Sequence, residues 1–535
     1  MSSTVSEDNG FARLPASTLG MSPRTIEYPL HYRSARRNPT VPAYFYLLWD
    51  IGSANLKKSY IERLVPHFAP KPKLLVYTCG VLSETREVTK GARFTKKQHN
   101  HITMRRATDG FGLDITTTSP EVVVVLDHFT QQVLSYGRQT DQLSKMEEHS
   151  ILTDALCAIG TLAGERKMTS DKLETAKFHI QRAKKMKGTE REELYIQTAE
   201  SLLEHDAFGA TDCLEEVVQR WPTDVLAVKL AQEFYFNRGD SVSLLRIAEK
   251  SRKNTPDNLY IHGMTAFGLV ENGRYEEAER LALLGDSMTQ GSDAWSHHAF
   301  AHVCIRFMEK RSDSWSSLCS FVYSHNWWHS ALFHLELEDY NRTFSIFDDR
   351  LWKDAKDCCQ DQIGAVSLLW RLELRDVPVG DRWEDLTDHI SHKIKDHIQP
   401  YIDMHYVYAL AKAGKEERLE EMMKSLEEEK PHREHDLTVE TAKALSAHAR
   451  GNPEKCYEHL QPVRDRLKHL GGSNAQLDVI EQTYLDTLMK TFRFREASSI
   501  LNERYRSRPT SRYVKKHLER AKEGMGCIEE DVVRL

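Results

Sequence analysis

The sequence predicts an all-α protein, a solenoid of stacked helical hairpins preceded by an extension of different character. Three observations support this prediction: apolar residues recur at helical spacing, Gly and Pro mark regular turns, and equivalent positions return at a constant interval. A chain of 535 residues is too long for one compact core. Stacked hairpins solve this problem because each unit buries its apolar face against its neighbours.

The composition excludes several classes of protein. The chain is 40% hydrophobic and 28% charged, as is typical of soluble globular proteins, and its net charge is −6. That mild acidity predicts no nucleic-acid partner and no anionic membrane partner. The nine cysteines contain no CxxC pair and predict no disulfide framework. We therefore expect a reducing, cytoplasmic location.

Residues 1–103 differ from the rest of the chain in charge and in pattern. They hold 15 Lys and Arg against 7 Asp and Glu, a net charge of +8, which leaves −14 for residues 104–535. Eight prolines interrupt this segment, and it shows no clear helical period. It is either a basic arm that binds an acidic partner or nucleic acid, or a poorly ordered extension or sequence upstream of the natural start. We favour the latter because basic clusters with aromatic platforms are missing.

The first helices of the organised part, residues 104–535, have recognisable starts. Residues 118–121 combine Ser or Thr as a cap, Pro at the first helical position and Glu in the first turn. The helix that follows is predicted to reach Tyr136. Apolar periodicity predicts a second helix over 151–162 and a third from Ser170 to before Gly188.

A repeat follows that can be measured. Two sets of positions are evenly spaced at the same interval: Ala207, Ser241 and Tyr275, and Ala210, Leu244 and Ala278. Gly239 and Gly273 mark the turns, and Pro222 and Pro256 follow the second helices. A helix–turn–helix unit of about 34 residues with a small residue early in its second helix is typical of tetratricopeptide repeats.

The period slips after the third unit. Two more units of the same length after Tyr275 would place the next equivalent residue at Thr343, whereas the matching tyrosine is Tyr340. One connection has therefore shortened. Later hairpin turns are predicted at 413–415 and 451–453. The segment 511–524 is predicted to be a basic amphipathic helix that caps the array.

Several segments together resemble the tetratricopeptide repeat protein 38 family, from about Asp109 to the C-terminal helix. The segments are Trp221–Asp224, Phe267–Glu271, Asp293–Ser296, His325–His329, Val379–Trp383 and Leu470–Gln476. Residues 1–103 have no counterpart in this resemblance. It implies a cytosolic tetratricopeptide-like helical array over residues 104–535, and it brings no defined reaction.

The histidines of residues 293–340 are the main candidates for chemistry. The candidate metal ligands are His298, His302, His325 and His329. They form two pairs at i, i+4 spacing, which places both imidazoles of a pair on one helical face. Trp328 lies beside the second pair, and a later helix adds Asp403 and His405. Two facing pairs and a carboxylate can bind zinc or another divalent ion, or act as acid and base.

An ordinary packing interpretation of these histidines stays open. Together with the neighbouring tryptophans they would line the concave groove and hydrogen-bond adjacent helices. The HExxH arrangement of metalloproteases is absent. His297 and His334 lie off the two predicted faces and are expected to be ordinary core or surface residues.

A glycine loop and one arginine complete the candidate groove. The loop residues predicted beside the histidines are Asn474, Gln476 and Asp478. The alternative is a tight turn with Ser473 or Asn474 as a helix N-cap. Arg371 is a candidate clamp for a carboxylate or phosphate, or the partner of a neighbouring acidic residue.

Two functional hypotheses follow. The first is an interaction protein that binds a partner or peptide in the concave groove. The second is a protein that binds a small molecule or divalent metal in a histidine-rich pocket. Enzymatic activity in that pocket is an extension of this second hypothesis. We expect binding rather than catalysis, with no catalytic residue assigned and no obligatory cofactor.

Overall fold

The computed structural model describes residues 104–146, 150–163, 168–301, 312–353, 356–429 and 434–534. The predictions for residues 1–103 and for His302 lie outside these described residues. Helices make up almost all regular structure in the described part, so the predicted all-α class is confirmed. None of the described helices combines the length and apolar composition that a membrane span requires.

The described chain begins with a small β-hairpin. Strand β1, Arg105–Thr108, pairs antiparallel with β2, Asp114–Thr117. The β-branched residues of β2 favour an extended backbone, but so short a strand gives too little periodicity to predict.

The predicted helix start at residues 118–121 is confirmed. Ser119 caps helix α1, and its Oγ accepts the backbone N–H of Glu121 at 3.2 Å. The helix ends at Ser135, and Tyr136 follows in a left-handed conformation. The first four helices are α1 Pro120–Ser135, α2 Ile151–Ala163, α3 Ser170–Lys184 and α4 Glu190–Leu203.

Three helical hairpins follow the predicted repeat. They consist of α4 with α5 Ala207–Arg220, α6 Val225–Asn237 with α7 Ser241–Asn254, and α8 Ile261–Glu271 with α9 Tyr275–Met288. Helix α10, Ala294–Ala301, follows them. Helices α5, α7 and α9 begin at Ala207, Ser241 and Tyr275, and thus keep the interval of the sequence repeat. The repeat predicted from the sequence is therefore a structural repeat.

Small or apolar residues let these helices approach one another. Ala210, Leu244 and Ala278 are all buried, one in the first turn of the second helix of each hairpin. Gly239 has a φ of +67° and Gly273 a φ of +72°, a region in which a side chain is strained. Glycine thus makes the reversal within the second and third hairpins, and His205, with a φ of +61°, makes it within the first.

Further helices complete the chain. They are α11 Ser320–Glu336, α12 Tyr340–Ile346, α13 Cys359–Glu373, α14 Arg382–Ile390, α15 Pro400–Lys412, α16 Glu416–Glu428, α17 His435–Ala449, α18 Pro453–Leu460, α19 Asn474–Lys490, α20 Phe494–Ser507 and α21 Arg512–Arg534. Shorter helical turns lie at Leu143–Lys145, Ser312–Ser317, Phe347–Leu351 and Gln461–Leu470.

The predicted turns in this half are found, but the last helix is longer than its predicted range. Gly414 and Gly451 have φ values of +65° and +77° and separate the helices as predicted. Helix α21 passes through Gly524, its predicted end, and continues to Arg534. Gly524 serves close packing, because a Cβ there would lie 2.5 Å from the ring of Phe494.

The second half of the chain folds back onto the repeats. The backbone N–H of Asn474 donates to the Glu271 carboxylate at 2.9 Å, and its side-chain amide donates to the Glu271 carbonyl at 2.9 Å. Gly471 lies against the Asn237 carbonyl, since a Cβ there would be 2.6 Å from that oxygen. The loop 470–476 therefore closes the inner side of the hairpins.

The histidine segment lies where two large hydrophobic clusters meet. One cluster is built from the N-terminal helices and the first repeats, and the other mainly from α11 to α21. Trp295 of α10 packs against both. Any site at α10 is thus supported by the cores of both halves.

Candidate functional site: a buried histidine triad

Helix α10 holds the first histidine and is anchored at its N-terminus by Asp293. The Asp293 carboxylate accepts the backbone N–H of Trp295 at 3.0 Å and the hydroxyl of Ser296 at 2.5 Å. Burial raises the pKa of Asp293 to about 6. Gly285 makes room for this anchor, because a Cβ there would lie 2.2 Å from the Ser296 hydroxyl.

Helix α11 holds the other two histidines, one turn apart. The His325 ring stacks on Trp328 with centroids 5.1 Å apart, and the His329 ring meets the same indole at 4.8 Å. Phe321 packs against His325 at 4.9 Å. The i, i+4 spacing puts both imidazoles on one face, and the aromatic neighbours restrict their rotation.

The three imidazoles converge on one point. The Nε2 atom of His298 lies 3.0 Å from that of His325 and 3.0 Å from that of His329. The Nε2 atoms of His325 and His329 are 3.1 Å apart. All three residues are buried, and the exposed fraction of each is 9% or less. We call His298, His325 and His329 the histidine triad.

This arrangement suits a metal ion better than mutual hydrogen bonding. A neutral imidazole Nε2 is either a donor or an acceptor, and one N–H cannot point at two lone pairs in a triangle. The Nε2 atoms of His298, His325 and His329 would hold such an ion, which would supply a Lewis acid at this point.

A narrow cavity adjoins the triad on the side of His298 and His325. Its volume is about 50 Å³, enough for about three or four water molecules. Lys229 and Glu233 line it, and the Lys229 ammonium lies 2.9 Å from the Glu233 carboxylate. Burial lowers the pKa of Lys229 and raises the pKa of Glu233, although their mutual attraction opposes both changes. The pair thus places a buried ammonium and a buried carboxylate in the wall of this cavity.

The Lys229 side chain is also held by aromatic rings. Its ammonium lies 4.4 Å from the ring centroid of Tyr136 and 4.7 Å from that of Trp295, and it donates to the Tyr136 hydroxyl. Trp295 in turn packs on the His298 ring at 5.2 Å. The ion pair and the triad are therefore connected through one indole.

A wider cavity of about 570 Å³ reaches the triad from the side of His329. Arg371, Asp478 and Gln482 line it. The triad thus lies between a narrow cavity and a wide one, and His329 belongs to the wall of the wide one.

The structure does not bring Asp403 and His405 to the triad. The Asp403 carboxylate lies 3.3 Å from Nδ1 of His397, and it lines a different cavity near Pro400. Nδ1 of His405 lies 2.6 Å from the Tyr401 carbonyl, one turn back in its own helix. Helical spacing determines the face on which these residues lie, but not their distance from α10 and α11.

The loop candidates divide among three environments. Asn474 bonds to Glu271, as described above, whereas Gln476 lines the narrow cavity. Ser473 is the N-cap of α19 and forms a capping box with Gln476. Asp478 lines the wide cavity together with Arg371. The loop therefore starts a helix with Ser473 as its N-cap, as the alternative interpretation of the sequence predicted, and it also lines the site.

His297, next to His298, has a different setting. Its Nε2 lies 2.9 Å from the Asp286 carboxylate, and the Trp315 indole donates to its Nδ1 at 3.3 Å. It fastens α10 to α9 and takes no part in the triad. This agrees with its expected role as an ordinary core residue.

Sequence reasoning missed several residues of the two cavities. Lys229 and Glu233 are charged residues at i, i+4 spacing in the mainly apolar helix α6. This pattern could have indicated a buried ion pair. The arginines of α20 and of the segment before α21 gave no signal, because exposed basic residues are common near a C-terminal helix.

No family model matches the chain. The resemblance to the tetratricopeptide repeat protein 38 family therefore stays a prediction.

Proposed function

We propose that the protein binds a divalent metal ion through the Nε2 atoms of His298, His325 and His329 and uses it to act on a small molecule. The observation that supports this most directly is the mutual spacing of these atoms, 3.0–3.1 Å. His297 and His405 lie beside a carboxylate and a carbonyl, whereas each Nε2 atom of the triad lies within 3.1 Å of the other two. A shared cation explains why three imidazoles are directed at one another.

The described residues provide three ligands, the number found in catalytic rather than structural zinc centres. Structural zinc sites are closed by four protein ligands, whereas catalytic sites use three and leave a position for water or substrate. Such an ion makes bound water a nucleophile near neutral pH and polarises carbonyl or phosphoryl oxygens. The proposed chemistry is therefore hydrolysis or hydration of a small molecule.

The chain's own residues prepare the site in two ways. Phe321 and Trp328 hold the rings of α11 in place and exclude water from them. The Lys229–Glu233 pair shares its cavity with His298 and His325 and can supply or take up a proton there.

The hypothesis of partner binding rests on the helical repeat alone. The loop 470–476 closes the inner side of the first hairpins through its contacts with Asn237 and Glu271. The space that remains inside suits a small molecule better than a peptide.

Metal content tests the proposal. The purified chain is stripped with a chelator, loaded separately with Zn²⁺, Mn²⁺ or Fe²⁺, desalted and analysed by plasma mass spectrometry. We expect about one ion per chain for at least one metal and a loss of at least about tenfold in His329→Ala. His334→Ala is the matched control, since His334 lies on the same helix and bonds to Asp339 at 3.2 Å.

Activity is measured on the same samples with 4-nitrophenyl acetate and 4-nitrophenyl phosphate as probes. Loaded wild type and His334→Ala should hydrolyse one probe at least about tenfold faster than His329→Ala. Retention of equal metal by His329→Ala, or of none by the wild type, would refute the metal centre. Bound metal with equal rates in all samples would refute the catalytic part alone.

A further inference from the structure

The wide cavity beside His329 is strongly basic in an otherwise acidic protein. Five arginines line it, Arg371, Arg375, Arg504, Arg508 and Arg512, against two acidic residues, Glu336 and Asp478. Its charged side chains thus carry +3, whereas the whole chain carries −6. Arg371 is buried, Arg375 and Arg504 are half-buried, and Arg508 and Arg512 are exposed at the rim, so the positive charge extends from the surface inward and attracts anions.

The two acidic residues do not neutralise the arginines. Asp478 lies 2.5 Å from Arg504 and 3.9 Å from Arg508. Burial would raise the pKa of Asp478, but the positive charges of Arg504, Arg508 and Arg371 hold it well below its usual range. Glu336 lies 3.6 Å from Arg375 and also accepts the Ser511 hydroxyl.

Arg371 is the most unusual of the five. It is 2% exposed, and its guanidinium donates to neutral oxygens only, those of Ser367 and the Ala475 carbonyl, the latter at 2.6 Å. Among the described residues, the acidic neighbour Asp478 forms its ion pairs with Arg504 and Arg508 instead. Burial lowers the pKa of Arg371 to about 10, and the neighbouring arginines act in the same direction. The group therefore stays charged at neutral pH while bonded only to neutral oxygens.

The cavity connects this charge to the triad. Arg371 lies over the Trp328 ring, with Cζ 5.6 Å from its centroid, and the same indole packs on His325 and His329. His329 and Arg371 both line the cavity wall. A molecule in the cavity would meet the arginines and His329 of the triad.

We infer that the wide cavity binds a small organic anion, with its carboxylate or phosphate group held by Arg371, Arg375 and Arg508. If the proposed function holds, this anion is also the molecule on which the triad acts. The volume of about 570 Å³ falls in the range of small-molecule pockets, which is about 300–1,000 Å³. Guanidinium groups match the geometry of carboxylate and phosphate oxygens.

Calorimetric titration with inorganic phosphate and with succinate tests this inference. We expect saturable binding of at least one of them, with one site per chain. Arg508→Gln should weaken binding about tenfold, because it removes one guanidinium from the anion site. Arg508 is exposed, so the change leaves the core undisturbed. Arg506→Gln is the matched control, since Arg506 is exposed in the last turn before Arg508 and does not line the cavity. Arg371→Lys keeps the positive charge but loses the paired N–H donors of the guanidinium. It should weaken binding at least about tenfold.

The titration is repeated on chelator-treated protein and on His329→Ala. Binding that survives both changes but falls in Arg508→Gln supports the anion site even if the metal proposal fails. Binding lost on metal removal and unchanged in Arg508→Gln would place the anion on the metal and overturn the inference. No saturable binding of either anion, or binding only of a poly-Glu peptide, would also overturn it.

Discussion

His297 and His298 are neighbours on the same short helix, yet they lie in opposite chemical settings. His297 contacts the Asp286 carboxylate and the Trp315 indole, so the protein itself supplies its partners. His298 lies 3.0 Å from two other imidazole nitrogens. Both histidines are buried, so burial alone does not identify a site. What distinguishes the triad is that its ring nitrogens face one another.

The largest expected effect is on stabilisation by metal. Saturating Zn²⁺ or Mn²⁺ should raise the free energy of unfolding of the wild type by about 4 kcal/mol at a thousandfold excess over Kd. His297→Ala should keep this gain, although its starting stability is lower, whereas His298→Ala should lose it. Calorimetry with and without metal measures both. A similar gain in the two variants would remove the distinction between these neighbours.

A second effect concerns stability without metal. His297→Ala should lower the free energy of unfolding by about 2–4 kcal/mol, because it leaves the buried Asp286 carboxylate without its imidazole. The double change His297→Ala with Asp286→Ala should cost less than the sum of the single changes. Thermal unfolding in the presence of a chelator checks this. Additive losses would show that the two side chains do not interact.

A third effect appears only in acid and concerns His405. Burial, helped by the positive charge of Arg371, lowers the pKa of His405 to about 4 in the folded chain. The unfolded chain, with a pKa of about 6.5, takes up a proton first as the pH falls, so stability is lost between about pH 6.5 and pH 4. The full loss is on the order of 3 kcal/mol, and none of it is present above pH 7.

The comparison variant for this effect is His405→Gln, which cannot take up the proton. In chelator, its melting temperature should fall less than that of the wild type between pH 7 and pH 4. His392→Gln, at an exposed position, should follow the wild type. Parallel curves for all three proteins would contradict the buried, neutral state of His405.

The repeat could be predicted well from the sequence because its cause is local. Ala210, Leu244 and Ala278 recur at one constant interval, since each must fit against the first helix of its hairpin, and the second helices do begin at that spacing. The α11 pair, His325 and His329, was predictable in the same way. One helical turn sets their common face.

The convergence of His298 on that pair was harder to predict. It depends on how α10 and α11 pack across a connection that helical periodicity does not describe. The same limit explains Asp403 and His405, whose residue types suit the pocket but which are held elsewhere by His397 and Tyr401. Arg508 was missed because only the folded chain brings it to the cavity of Arg371.

The contact between Glu271 and Asn474 has a consequence for cooperativity. In an open array, each hairpin touches only its neighbours, so an end can fray while the middle stays intact. Here the contact joins residues 203 positions apart and fastens the start of α19 to the end of α8. The free energies of unfolding of distant hairpins are thereby coupled. A substitution that destabilises the chain near residue 474 also destabilises it near residue 271. The histidines lie inside this ring, so their alignment depends on the array as a whole.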